Sequence, residues 1–113
     1  MSAPLPAGFA ALEPFAATWG AASTYERMAT RVTASMDEIR AFYDVAIELA
    51  PQAMAHCDSF PLDAMPEDAQ RLFRIMLGLV QAAMAVEIHG QPRAPGTPWP
   101  HSIKVDRGLW LFG

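Results

Sequence analysis

The side chains able to do chemistry in this chain are few, and their spacing suits chemistry poorly. Three histidines (His56, His89, His101) and one cysteine, Cys57, are the natural ligands, bases or nucleophiles. No two histidines stand three or four residues apart, the spacing that sets two ligands on one helical face. His56 and Cys57 are adjacent and Glu87 and His89 are two apart, so a helix aims the members of each pair in different directions. A nucleophilic cysteine needs a depressed pKa and an oriented base, whereas Cys57 shares an apolar stripe with Ala53. His89, beside Gly90, reads as a cation-capable side chain at a helix C-terminus. No phosphate-cradling glycine loop, nucleophile elbow, H-E-x-x-H pair or EF-hand spacing occurs. The sequence therefore assigns no catalytic residue, cofactor or metal, and points away from an enzyme that acts alone.

Glu87 has the most to explain. It lies three residues after Met84 and seven after Val80, on a stripe that also holds Leu72, Phe73 and Met76. A carboxylate there is costly to bury unless it is paired and hydrogen-bonded. One reading is an ion pair at the helix end, with Arg93, Arg27 or Arg31 as the cation. The other is an acid at the mouth of an apolar pocket between two long helices, with Tyr43 and Arg31 as further anchors. The candidate ligand or ion-pair residues are thus Glu87, Tyr43, Arg31 and Arg93.

The elements that must position them are all helical. Residues 1–11, rich in Pro, Ala and Gly, read as an extended lead-in. Glu13-Pro14 then suits a helix first turn, with Gly20 as its stop after Trp19. Ser23 with Glu26, and Ser35 with Glu38, have the capping-box spacing that opens a helix. Behind the first box, Tyr25, Met28, Ala29 and Val32 form an apolar stripe. Behind the second, Ile39, Phe42, Tyr43, Ala46, Leu49, Ala50, Ala53 and Cys57 form a longer one. It is interrupted by Pro51, which predicts a kink or a break. After a loop at 59–65, Pro66-Glu67-Asp68 opens a helix that runs to about Ile88 and stops at Gly90. Its second half, Ile75 to Val86, is apolar on every side and is expected to be buried on every side.

These elements predict one all-α domain over residues 1–113. It is a compact bundle of about four helices, two short and two long and antiparallel, with an irregular Pro-rich tail from 91 to 113. The tail holds Trp99, Trp110, Leu111 and Phe112, which are expensive to leave in water. Either it folds back on the bundle, which enlarges a small core and is the favoured expectation, or it docks on another chain.

Composition narrows the function classes. The hydrophobic fraction of 52% supports a packed core, and one cysteine leaves no intramolecular disulfide. The net charge of −4, with scattered Lys and Arg, disfavours nucleic acid. The nearly apolar stretch Ile75–Ile88 falls short of the roughly 20 residues of a bilayer span. The N-terminus lacks the charge and apolar core of a signal peptide, so no membrane partner and a cytoplasmic location are expected.

Leu12-Glu13-Pro14-Phe15 with Trp19, Ser35-Met36-Asp37-Glu38, Phe42-Tyr43-Asp44, Phe60-Pro61-Leu62-Asp63 and Val86-Glu87 through Gly90-Gln91-Pro92-Arg93 carry a resemblance. Over most of residues 12–93 the chain resembles a group of small helical bacterial proteins of unassigned function. The resemblance implies a bacterial, intracellular helical domain and transfers no activity, cofactor or catalytic residue. The all-round apolar helix and apolar tail then suggest an interaction or accessory protein, a homo-oligomer or the partner of a larger enzyme. The competing expectation is a module that binds an apolar or aromatic small molecule.

Overall fold

The computed structural model describes residues 5–92; the tail residues singled out above, Arg93 and His101 included, lie outside them. The described residues hold four α-helices and no strand: α1 (Ala16–Trp19), α2 (Thr24–Thr33), α3 (Met36–Asp58) and α4 (Glu67–Ala83). A 3-10 helix, Ala10–Phe15, leads into α1, another, Leu62–Ala64, sits in the loop before α4, and a π-helical turn, Met84–His89, extends α4.

Both capping serines do what their spacing predicts. Ser23 Oγ accepts from the Glu26 N–H. At Ser35 the box is complete: its Oγ accepts from the Glu38 N–H, and Glu38 Oε1 accepts from the Ser35 N–H at 2.9 Å. Gly90 ends the last helix in the left-handed conformation, φ 67°, that glycine adopts without steric cost.

Pro51 neither breaks nor ends α3, which runs unbroken for 23 residues. Pro51 and Ile47, whose carbonyl it leaves without a helical donor, are both exposed, so that carbonyl lies on the water side. The lead-in is not merely extended either. Leu5 and Phe9 are buried in the core, and Gly8 at φ 97° turns the chain between them. An apolar pair on so short a segment is worth ordering, because each side chain taken from water contributes roughly 1.5–3 kcal/mol.

The frame is the antiparallel pair α3–α4. Tyr43 meets Glu87 at one end, and at the other Cys57 Sγ lies 3.8 Å from the Ala69 carbonyl. Between them Ile39, Phe42, Ala46, Leu72 and Ile75 are fully buried. On one side of this pair sits the N-terminal segment. Trp19 stacks on Phe42 with ring centroids 4.8 Å apart and planes 6° from parallel, and Phe15 packs on the same ring. Gly78 lets α1 approach α4, since a Cβ there would fall on the Trp19 carbonyl oxygen. Helix α2 lies along the edge of α4, joined to it by Arg31 and Gln81.

The buried stripe of α2 is not the expected one. Arg27 and Arg31 are buried with Val32, while Tyr25 is exposed and Met28 and Ala29 are half-buried. The second half of α4 also departs from expectation, because it is not buried on all sides. Val80 is 57% exposed, and Ile88 in the π turn is 74% exposed. The reason is geometric: α3, α1 and α2 cover three sides of α4, and among the described residues no element covers the fourth. The helical run Glu67–His89 is long and apolar enough, by length and composition, to cross a membrane. A core helix passes the same test, and here three helices pack on it.

Candidate functional site

The four sequence candidates divide into two separate places and one undescribed residue. Tyr43, on α3, donates its hydroxyl to Glu87 Oε2 at 2.5 Å. That bond holds the Tyr43 proton and raises its pKa above the ordinary phenol value, with the nearby carboxylate charge adding to the effect. Glu87 is exposed, so it meets no burial cost and needs no cation to offset one. Among the described residues Glu87 is held by Tyr43, while Arg31 and Arg27, two of the three cations that the ion-pair reading offered it, donate elsewhere. The turn Met84–His89 is wound as a π-helix, one residue wider per turn than α, and Glu87 meets α3 from it. Arg93 lies beyond the described residues.

Arg31 is occupied elsewhere. Only 5% exposed, it donates from Nε to Gln81 Oε1 at 2.9 Å and from Nη1 to the Pro92 carbonyl at 3.1 Å. Nη1 also lies 3.4 Å from His89 Nδ1, which accepts when the ring is neutral and protonated on Nε2. Burial pulls the Arg31 pKa down, and these acceptors are what the charge has in place of water. Arg27 is built alike, donating to the Ala21 carbonyl and the Thr24 hydroxyl. Burial lowers its pKa first, and the charge of Arg74 lowers it further. Arg31 thus ties three segments together: α2, α4 and the chain leaving Gly90.

Cys57 and His56 have structural settings. The Cys57 thiol is buried, and burial raises its pKa, the wrong direction for a nucleophile. His56 lies between the rings of Phe9 and Phe60, at 6.1 and 5.5 Å. Among the described residues no group of three or more His, Cys, Asp and Glu is placed to hold a metal.

An open cleft of about 610 Å³ lies on the flank of α3, against Ala11, lined by Asp44, Val45, Glu48 and Leu49. None of Glu87, Tyr43 or Arg31 lines it.

What the fold does assemble is an apolar face. On α3, Tyr43, Ile47, Ala50 and Met54 repeat at i, i+4, i+7 and i+11, and Ile47 and Met54 are exposed. On α4 and the π turn that extends it, Phe73, Leu77, Val80 and Met84 repeat at the same intervals, and Ile88 follows in the turn. At 3.6 residues per turn each row is one stripe beside the α3–α4 contact, turned away from α1. Because the helices are antiparallel, the two stripes lie on the same side and form one surface. The sequence held the signal for the α4 row in its all-round apolarity, but not which quarter stays open. No family model, no curated protein and no solved structure matches this chain, so the resemblance read from residues 12–93 gains no support from them.

Proposed function

We propose that this chain is a self-associating interaction protein, and that its docking surface is the outer face of α3 and α4. The observation that carries this is the exposure of Val80 and Ile88 on a helix otherwise packed on three sides. Apolar surface of this kind, gathered in two rows rather than scattered, marks contact sites more often than chance exposure does. Ile47 and Met54 widen it on the α3 side, and the exposed Arg40 and Glu87 give it a polar edge.

A second copy is the occupant this face fits. A twofold interface must complement itself. The two rows have the same residue spacing and run in opposite directions, so a copy related by a twofold axis presents one row to the other. Sedimentation velocity of the full chain over a range of concentrations tests this. A dimer that grows with concentration, and that Val80→Glu abolishes while leaving the helical content unchanged, is the expected result. A monomer at every concentration overturns it.

A small-molecule reading would place an apolar ligand in the open cleft beside Val45 and Leu49, which none of Glu87, Tyr43 or Arg31 lines.

A further inference from the structure

Arg40 and Glu87 stand at one end of the two rows, with opposite charges that the described chain does not join. Tyr43 donates to Glu87 Oε2, and no donor among the described residues reaches Oε1. Arg40 is exposed three residues before Tyr43, on the same stripe of α3, and makes no ion pair among the described residues. While the face is open to water neither charge needs a partner. Once the face is covered, a carboxylate at its edge is costly unless a cation comes with the cover.

A second copy seats on this face in two twofold ways, which carry the charges to different places. An axis across the helices sets α3 head to tail on the partner's α3. Arg40 then goes to the Met54 and Asp58 end of that helix, and Glu87 goes to the Phe73 end of α4, over apolar side chains. An axis along the helices keeps every level, and sets α3 of one copy on α4 of the other. The partner's Glu87 then stands level with Tyr43, because the two are bonded within each copy. Arg40 lies only about 4.5 Å further along its helix. A guanidinium on a flexible stem spans that offset, and Oε1 is the acceptor left for it.

We propose that the two copies dock with the axis along the helices, and that Arg40 of each supplies the cation for Glu87 of the partner subunit. The proposal rests on the self-association reading of this face and adds the orientation of the second copy.

Charge-reversed chains, alone and mixed one to one, test it by sedimentation velocity and native mass spectrometry, with circular dichroism to show that each is folded. Arg40→Glu alone sets carboxylate against carboxylate at both contacts, and Glu87→Arg alone sets arginine against arginine. Each is expected to dimerise about tenfold or more weakly than the parent. Mixed, the two variants restore an arginine–carboxylate contact at both places, so the heterodimer is expected to dominate over either homodimer. Added salt should narrow these differences. The other axis makes a different prediction: Arg40→Glu would then prefer Asp58→Arg to Glu87→Arg as its partner. That preference, or single variants that dimerise as the parent does, overturns the proposal and leaves self-association standing. A parent chain that stays monomeric at every concentration removes the self-association reading, and the proposal with it.

Discussion

The inner and outer sides of α4 are made of similar residues put to opposite uses. Inside, Leu72, Ile75, Gly78, Ala82 and Ala85 are buried, and the small ones let neighbouring helices approach. Outside, Leu77, Val80 and Met84 are no less apolar, yet water reaches them. Hydrophobicity alone does not separate the two sides. Size and position do, because the inner side alternates large and small residues to fit fixed partners.

That contrast has measurable consequences, ordered here by size and read from denaturant unfolding of dilute protein. Leu72→Ala, at a fully buried site, should cost about 3 kcal/mol or more. Gly78→Ala should cost about 2–3 kcal/mol, since the added methyl meets the Trp19 backbone, which cannot rotate away as a side chain would. Arg31→Ala should cost about 1–3 kcal/mol by leaving Gln81 and the Pro92 carbonyl without their donor. Val80→Ala, on the outer side, should stay within about 0.5 kcal/mol. An outer substitution as costly as Leu72→Ala would erase the distinction between the sides.

Ser35→Ala gives a reference away from α4, with a cost of about 1 kcal/mol for the lost cap. Its pH dependence has a defined sign. The Ser35 backbone N–H, and then the Ser35 hydroxyl, hold the Glu38 carboxyl below its ordinary value. A depressed acid adds stability that is present above its unfolded pKa and lost as pH falls through its folded pKa. The parent should therefore lose this increment under acid, and the variant, lacking the hydroxyl, should lose less.

Much of the fold was legible in the chain. The serine caps, the glycine stop at Gly90 and the 3.6-residue stripes of α3 and α4 are local signals, and local geometry obeyed them. The burial of Arg31 was not legible, because its acceptors are Gln81, His89 and Pro92, 50 to 61 residues away. The nearness of Tyr43 to Glu87 was among the readings of the sequence, but the direct bond between them, across 44 residues, depends on a register that the stripes do not give. The exposed side of α4 was hidden for the same reason. A stripe pattern says how many sides are apolar, but only the neighbours decide which side they leave uncovered.

The claim that the outer face exists for association is tested most directly by the unfolding midpoint as a function of protein concentration. Because a dimer stabilises the folded state by mass action, the midpoint of the full chain should rise with concentration and that of Val80→Glu should not. Identical midpoints for both at every concentration would contradict the account.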